Sequence, residues 1–284
     1  MAKLLIIGGA GMLGSMLARE LSGGHEIAVT LHGGESYGLE KYGLVHKNVD
    51  ALNESLLGDL IKKTKPDFIL NCVGVIKQIV KDAEAENIIA VNALLPHKLL
   101  KLAKETGASL VHFSTDCVFS GAKGPYAETD KPDIPAGDIY GATKLLGEIN
   151  DSSALTLRTS IIGPELKGKH SLLEWAFSKK NQTIEGYKNA LYSGVTTLEM
   201  AKIIDMLIRD FPDLSGLWHV GGPAISKYDL LILINKIFNL NITVKENTTI
   251  SCDRRLDSTA FQKKTGYRLK PWEKSLQELK EVYA

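Results

Sequence analysis

Two side chains that could together deliver a proton, Tyr140 and Lys144, lie four residues apart in a stretch with helical character. Residues at this spacing share one face of a helix, so the phenol and the ammonium would point to the same side. The strand pattern before them ends in two hydroxyl residues, Ser114 and Thr115. A phenol, an ammonium and a hydroxyl in one place can protonate a carbonyl oxygen while a second molecule delivers hydride. These residues predict a site that reduces a ketone.

The same spacing occurs a second time, at Tyr37 and Lys41. No strand ending in hydroxyl residues precedes that copy, and no helix-like sequence follows it. We interpret the early copy as surface sequence and assign the chemistry to Tyr140 and Lys144.

A glycine-rich turn near the start of the chain indicates the source of hydride. The apolar run 3–7 is typical of a buried parallel strand, and it leads through Gly8, Gly11 and Gly14 into a helix-like sequence. Gly8 would permit a tight turn, Gly11 would let the backbone approach a pyrophosphate, and Gly14 would let the helix pack closely on the sheet. The helix N-terminus would offer N–H groups and partial positive charge to the phosphates. The turn therefore predicts dinucleotide binding, against the alternative of an ordinary glycine-rich loop.

Strand and helix patterns alternate along the first part of the chain. Strands are predicted at 3–7, 27–31, 44–49, 67–73, 109–113, 155–158 and 216–220. This alternation predicts an α/β fold, a Rossmann-type doubly wound parallel sheet. A helix is expected over about 84–105, with a kink or local adjustment at Pro96.

The pattern becomes less regular after Arg158, which predicts a smaller, discontinuous C-terminal substrate lobe. We expect 1–158 and 190–222 to form the dinucleotide-binding domain, and 159–189 and 223–284 to form the lobe. Helical patterns in the later part lie at 172–179, 197–211, 228–238 and 272–282, with a short strand-like piece at 242–244.

Composition is that of an enzyme with a large core. The chain has 284 residues, 44% of them hydrophobic and 24% charged, and a formal net charge of +1. This charge gives no reason to expect nucleic acid, and no apolar stretch is long enough for a membrane span. The three cysteines contain no C-x-x-C pair, which favours a reducing, cytoplasmic compartment and predicts neither a disulfide framework nor a metal site.

Further motifs carry a family resemblance across nearly the whole chain. They are Gly8 to Gly14, Asp50, Asn71 to Gly74, Val91 to Ala93, Ser114 to Gly121, Lys123 to Glu128, Tyr140 to Lys144, Arg158, and Gly163 with Pro164. With these motifs the chain resembles the extended short-chain dehydrogenase/reductases, and among them the dTDP-4-dehydrorhamnose reductases and related sugar-nucleotide reductases. It departs from their pattern at Cys117, where an aromatic residue is usual, and in a shortened basic segment at 253–258.

The resemblance implies an oxidoreductase that reduces a nucleotide-linked 4-keto-6-deoxy sugar, in deoxysugar and cell-surface polysaccharide biosynthesis. Thr115 would donate a hydrogen bond to the developing oxyanion and Tyr140 would act as general acid. Lys144 would lower the pKa of the phenol and hold the nicotinamide ribose. Ser114 is the alternative hydroxyl, because strand alternation lets only one of the two neighbours face the pocket squarely.

The resemblance also implies two sets of binding residues. The cofactor would contact Gly8, Gly11, Met12, Leu13, Gly14, Asp50, Ala51, Asn71, Cys72, Val73, Gly74, Asn92, Tyr140 and Lys144. The substrate would contact Asp116, Val118, Tyr192, Arg254 and Arg255. The alternatives without a role in binding are a strand-end cap for Asn71, a solvated helix position for Asn92, and a solvated charge cluster for the arginines.

The end of the second strand pattern bears on the cofactor. It has no acidic residue to hold a ribose 2′-hydroxyl, which favours NADP(H), while NAD(H) stays open. The expected partner is a nucleotide sugar, and a homodimer is compatible with the sequence.

Two other functions stay open on this fold. One is a sugar-nucleotide epimerase; a dehydratase is disfavoured because Cys117, not a second acid, follows Asp116. The other is a non-catalytic, nucleotide-binding regulatory subunit, which would have little need for Tyr140 and Lys144 together.

Overall fold

Apolar runs of the sequence form the strands of a central sheet in the structure, a computed structural model that describes residues 1–80 and 85–283. In chain order, the strands of this sheet and of two smaller sheets are β1 (Lys3–Ile7), β2 (Glu26–Thr30), β3 (Leu44–His46), β4 (Phe68–Asn71), β5 (Ser109–Thr115), β6 (Ala154–Thr159), β7 (Ile161–Ile162), β8 (Thr183–Tyr192), β9 (Val195–Thr196), β10 (Gly216–Val220), β11 (Ile225–Ser226) and β12 (Thr243–Asp253).

Helices separate most of these strands. They are α1 (Met12–Leu21), α2 (Glu54–Thr64), α3 (Ala85–Ile89), α4 (Leu95–Thr106), α5 (Ile139–Leu146), α6 (Leu172–Ser178), α7 (Thr197–Asp210), α8 (Lys227–Phe238), α9 (Thr259–Thr265) and α10 (Trp272–Tyr283). No helix in the described part of the chain is both long enough and apolar enough to cross a bilayer.

The central sheet has the strand order of a doubly wound fold. Among the described residues it contains seven strands, in the order β10-β6-β5-β4-β1-β2-β3. β1 pairs in parallel with β2 and β4, β2 pairs in parallel with β3, and β4 pairs in parallel with β5. The order reverses beside β1, and in such sheets ligands bind at the carboxyl ends of the strands near the reversal. The predicted α/β fold is confirmed.

Contacts divide the chain into two compact units. Unit 1 consists of Met1–Thr115, Gly137–Leu157 and Ala201–Leu217, and unit 2 of Asp116–Ala136, Arg158–Met200 and Trp218–Ala284. The core of unit 1 includes fully buried Leu5 and Leu110 from the sheet, with Leu57 from α2 and Leu99 from α4. Each such side chain contributes about 1.5–3 kcal/mol through its removal from water.

Unit 2 takes in residues 158, 190–200 and 218–222, and also the longer segment 116–136, all of which we placed with the dinucleotide-binding domain. Long-range hydrogen bonds explain the difference. The Tyr126 amide donates to the Arg255 carbonyl at 2.7 Å, and the Asp257 amide donates to the Tyr126 carbonyl at 2.7 Å. These bonds fasten the segment to the C-terminal part of the chain, and sequence periodicity carries no trace of them.

A second sheet organises unit 2, with the strand order β11-β8-β12. β12 runs parallel to β8 and β11 runs antiparallel to it. Tyr192, at the end of β8, pairs with Ile225, while Asp253, at the end of β12, pairs with Leu191. The end of β8, the end of β12 and the start of α8 therefore lie at the same end of this sheet.

The helix expected over 84–105 is divided into three parts, and Glu84 lies outside the described residues. A π-helical segment, Ala90–Leu94, separates α3 from α4. Pro96 lies in the first turn of α4, where its missing N–H removes no hydrogen bond of that helix. The predicted local adjustment is confirmed, and it takes the form of a π segment.

Candidate active site

The helix that carries the proton-transfer pair starts at a fixed point. Asp138 caps α5, its Oδ1 atom accepting a hydrogen bond from the Gly141 amide at 3.1 Å. The Lys77 ammonium pairs with Oδ2 of the same carboxylate at 2.5 Å. Tyr140 lies in the first turn of α5 and Lys144 in the next, on the same helical face. The structure therefore places these two residues in unit 1 with the spacing that we predicted.

Lys144 is a buried ammonium at the end of β5. Its side chain is enclosed, and Nζ donates to the Phe113 carbonyl at 2.6 Å. Burial lowers the pKa of Lys144 to about 8, against an opposing influence of the Glu148 carboxylate, which raises the pKa. The Lys144 ammonium therefore lies beside the main chain of β5, two residues before the candidate hydroxyl residue Thr115.

The two candidate hydroxyls have different surroundings, although both are buried. The Ser114 hydroxyl donates to Oε1 of Glu148 at 2.6 Å. Successive strand residues point to opposite faces, so the Thr115 side chain leaves β5 in the other direction. The two hydroxyls therefore lie on opposite faces of the sheet, with the Ser114 hydroxyl directed at Glu148.

The glycine turn has the geometry that a dinucleotide site requires. Gly8 has φ of +87°, in the left-handed region that favours glycine. A Cβ on Gly14 would lie 2.4 Å from the Gly8 carbonyl oxygen, so only glycine allows α1 to pack this closely on the turn. Exposed Gly11 caps α1 and has no side chain to cover the first N–H groups of that helix. These residues fit a pyrophosphate.

The turn after β1 and the turn after β4 lie against each other. The Cys72 amide donates to the Ile7 carbonyl at 2.9 Å, and a Cβ on Gly8 would lie 2.8 Å from Cγ2 of Val73. Met12 and Leu13 open α1, and Gly74 is exposed in the second turn. The structure therefore brings the glycine turn and residues 72–74 together at the carboxyl edge of the sheet.

Asn71 has the contacts of a strand-end cap. It is buried; its amide nitrogen contacts Nδ1 of His112 at 3.1 Å, and its Oδ1 accepts from the Val73 amide at 3.3 Å. Burial lowers the pKa of His112 well below its usual range, and the charges of Lys144 and His97 add to the effect. A neutral His112 offers Nδ1 as acceptor, so Asn71 shapes the turn; direct cofactor contact stays a prediction.

Asn92 lies in the π segment and clamps the same turn. Its Oδ1 accepts from the Val75 amide at 2.9 Å, while its amide nitrogen donates to the Val75 carbonyl at 3.0 Å and to the Thr143 hydroxyl at 3.4 Å. Only 1% of Asn92 is exposed, so the alternative of a solvated helix position is wrong. It ties the loop after β4 to α5 from within unit 1.

Asp50 and Ala51 precede α2. The exposed Asp50 carboxylate accepts from the Leu52 amide at 2.9 Å, and the side chain of Asn53 caps α2. Ala51 packs partly against the core of unit 1. Both belong to a turn that starts a helix, and their contact with a cofactor stays a prediction.

The predicted substrate residues all lie in unit 2. Asp116 and Tyr192 are buried, and Val118 is fully enclosed. Arg255 is bound by its neighbour, donating through Nε to Oδ1 of Asp253 at 2.8 Å and through Nη2 to Oδ2 at 2.6 Å.

Arg254 turns inward instead. Its Nε donates to the Phe119 carbonyl at 2.9 Å, and Nη1 donates to Sγ of Cys117 at 3.7 Å. The arginine pair therefore divides into one guanidinium held by Asp253 and one held by the Phe119 carbonyl and the Cys117 sulfur.

Sequence reasoning missed Lys227, the first residue of α8. Its ammonium lies 3.6 Å from the centroid of the Tyr192 ring. The signal in the sequence was only a helix start, Ser226 accepting from the Asp229 amide at 2.9 Å.

Comparison with known proteins decides the family. The family model described as RmlD substrate binding domain matches residues 2–284. The chain belongs to this family.

Relatives of this family member divide into enzymes and a subunit of an enzyme. The dTDP-4-dehydrorhamnose reductase of Salmonella typhimurium is 30% identical over 246 residues, covering 82% of this chain and 77% of that protein. Methionine adenosyltransferase 2 subunit beta of Rattus norvegicus is 26% identical over 255 residues, covering 84% of this chain and 72% of that protein.

A solved relative shows the same fold. The crystal structure of dTDP-4-dehydrorhamnose reductase from Bacillus anthracis in complex with NADP has a TM-score of 0.82 and 21% identity, and covers 100% of both chains.

Within the described residues of the present chain, no group of three or more His, Cys, Asp or Glu side chains is placed to hold a metal ion.

Proposed function

We propose that this protein is an NAD(P)H-dependent oxidoreductase that reduces the C4 keto group of a nucleotide-linked 4-keto-6-deoxy sugar, a step of deoxysugar and cell-surface polysaccharide biosynthesis. One observation carries the proposal: Tyr140 and buried Lys144 share a face of the capped helix α5, with the Lys144 ammonium held at the end of β5 that finishes in Thr115. Reductases among the relatives support the same reaction.

In the proposed mechanism, residues of unit 1 donate the proton and stabilise the negative charge that develops. A nicotinamide cofactor held by the glycine turn and α1 would supply hydride to the carbonyl carbon. Tyr140 donates its phenolic proton to the carbonyl oxygen, and the Thr115 hydroxyl donates a hydrogen bond to the same oxygen as negative charge develops. The Lys144 ammonium stabilises the tyrosinate that remains, because a nearby positive charge favours the ionised phenol.

NADP(H) is the favoured cofactor, with NAD(H) as the alternative. The Bacillus anthracis relative was solved with NADP. β2 ends at Thr30, whose hydroxyl accepts from the Gly8 amide at 3.2 Å and so serves the glycine turn. His32 is exposed just beyond it, and no acid in 30–34 would repel a 2′-phosphate.

The nucleotide sugar is assigned to side chains of unit 2, with Asp116, Val118, Tyr192, Arg254 and Arg255 as the candidates. We further propose a cytoplasmic location, supported by three free cysteines. A homodimer and the absence of nucleic-acid binding complete the proposal.

A substrate panel tests the reaction. dTDP-, UDP-, GDP- and CDP-linked 4-keto-6-deoxy sugars are offered with NADPH or NADH, and loss of the near-ultraviolet absorbance of the reduced cofactor is followed. Oxidation with at least one ketosugar supports the reductase. Oxidation with none, alongside dinucleotide binding, favours a regulatory subunit like the methionine adenosyltransferase relative, and sugar epimerisation without net oxidation favours the epimerase.

The choice of hydroxyl makes a separate prediction. Thr115→Val is expected to lower kcat by about 10²–10³-fold, the usual cost of removing one donor to a developing oxyanion. Ser114→Ala is the matched control, and it should cost less because that hydroxyl donates to Glu148. Steady-state kinetics on the two variants, with Tm as a check of folding, compare them; a larger loss in Ser114→Ala would reverse the assignment.

A further inference from the structure

A carboxylate that sequence analysis did not assign to the site, Glu148, lies beside the proton-transfer pair in unit 1. It comes four residues after Lys144, just past the end of α5. Its amide donates to the Leu145 carbonyl at 3.1 Å, so the chain is still turning helically at this point. Residues four apart on such a turn share a face, which places Glu148 on the side of α5 that carries Tyr140 and Lys144.

The strand β5 fixes both charged groups. Nζ of Lys144 donates to the Phe113 carbonyl at 2.6 Å, and Oε1 of Glu148 accepts from the Ser114 hydroxyl at 2.6 Å. Phe113 and Ser114 are consecutive residues of β5, so the ammonium and the carboxylate are bound to neighbouring positions of one strand. Two separate hydrogen bonds therefore hold the opposite charges close to each other.

The groups around Lys144 act on its proton in different ways. Burial lowers the pKa of Lys144 to about 8, and the Glu148 carboxylate raises it. His112, on β5, also interacts with Lys144, but burial lowers the pKa of this histidine well below its usual range, so it carries no charge at neutral pH. His97, on α4, acts on His112, and its ring contacts the Leu146 carbonyl at 2.8 Å. Of these three groups, Glu148 is the one that favours the ammonium.

We propose that Glu148 is a positioning residue of the reductase site, which keeps Lys144 in its ammonium form at neutral pH and holds it at the end of β5. The inference rests on the proposed function for the reaction that uses this charge. Desolvation works against a buried ammonium, and a neighbouring carboxylate offsets that cost. Without Glu148, Lys144 would lose its proton closer to neutral pH, and the tyrosinate would lose its stabilising charge.

Glu148→Gln tests the role because the amide keeps an oxygen that can accept from Ser114 and removes only the charge. In the pH profile of kcat, the alkaline limb of the variant should lie about one pH unit below that of the wild-type enzyme, the effect expected from losing a nearby opposite charge. At pH 8 the variant should therefore be about fivefold slower, and at pH 6 it should be close to wild type. A merely structural defect would lower kcat at every pH.

Three further variants serve as controls. Asp151→Asn makes the same acid-to-amide change nearby, on a carboxylate that pairs with Lys104 at 2.5 Å and accepts from the Ser153 amide at 2.9 Å. It should leave the limb in place. Glu148→Asp keeps the charge and should stay close to the wild-type profile. Ser114→Ala removes the hydrogen bond but leaves the carboxylate, so its limb should move less than that of Glu148→Gln. The Tm of each variant checks folding.

A direct titration of Lys144 separates this inference from the proposed reaction. Side-chain NMR signals of ¹³C-labelled lysine are followed with pH in the free protein, and Lys144→Met identifies the signal of interest. A lower midpoint in Glu148→Gln supports the inference even if no ketosugar is reduced, a result that rejects the reaction alone. An unchanged midpoint in Glu148→Gln, or an equal change in Asp151→Asn, overturns the inference even in an active enzyme.

Discussion

Tyr140→Phe is expected to lower kcat by about 10²–10⁴-fold, the range that general acid catalysis usually contributes. The variant keeps the ring and its packing but removes the only proton that the phenol can give to the carbonyl oxygen. NADPH binding should be nearly unchanged, because we propose that the glycine turn and α1 hold the phosphates. The absorbance of NADPH during turnover, together with a fluorescence titration of the cofactor, measures both quantities.

The chain provides its own control for this experiment. Tyr37 and Lys41 repeat the spacing, but Tyr37 precedes the short 3₁₀ segment Leu39–Lys41 and has φ of +53°. Tyr37→Phe should leave turnover unchanged. Normal kcat in Tyr140→Phe, or a matching loss in Tyr37→Phe, would contradict the assignment of the proton donor.

Lys144→Met is expected to reduce kcat by at least about 10²-fold and to remove an alkaline limb from the pH profile. Burial lowers the pKa of Lys144 to about 8, so the ammonium is present below that pH and is lost as pH rises through it. The tyrosinate then loses its stabilising charge, and kcat of the wild-type enzyme should fall above pH 8. Rates from pH 6 to 10 would show this limb; a wild-type profile flat to pH 10 would contradict it.

Lys144 should also make the free energy of unfolding depend on pH. Its folded-state pKa of about 8 lies below the ordinary value of 10.5, so the unfolded chain binds more protons between these two pH values. The free energy of unfolding should therefore rise from pH 8 to 10.5, by up to about 3 kcal/mol from this group. Urea unfolding at both ends of this window, compared with Lys144→Met, isolates the effect: the variant should lack the rise.

The central sheet could be predicted because most of its inner strands, such as β1, β5 and β6, are buried on both faces. β1 has the predicted bounds, 3–7, since a continuous apolar run marks such a strand clearly, and β10 also has the predicted bounds, 216–220. β8 was missed and β12 was recognised only at its start. Their residues alternate or are largely exposed, and the sequence Thr183 to Tyr192 mixes charge, glycine and aromatic rings. A small sheet with a solvated face gives little hydrophobic signal.

The site shows the same division between local and long-range information. Tyr140 and Lys144 were predictable because helical spacing places them on one face. The Ser114–Glu148 bond and the position of Lys227 over Tyr192 depend on pairs that are distant in sequence, and no periodicity records them. The Arg255–Asp253 pair spans only two residues, and charge patterning could have found it.

The Asn92 clamp has an energetic consequence for ligand capture. One side-chain amide satisfies both main-chain polar groups of Val75, so the turn at residues 72–75 is held in place before a dinucleotide arrives. Immobilising a loose loop upon association would consume part of the interaction energy. Here the conformational entropy of this turn is already lost when the polypeptide folds, so its ordering does not reduce the affinity of the protein for its coenzyme.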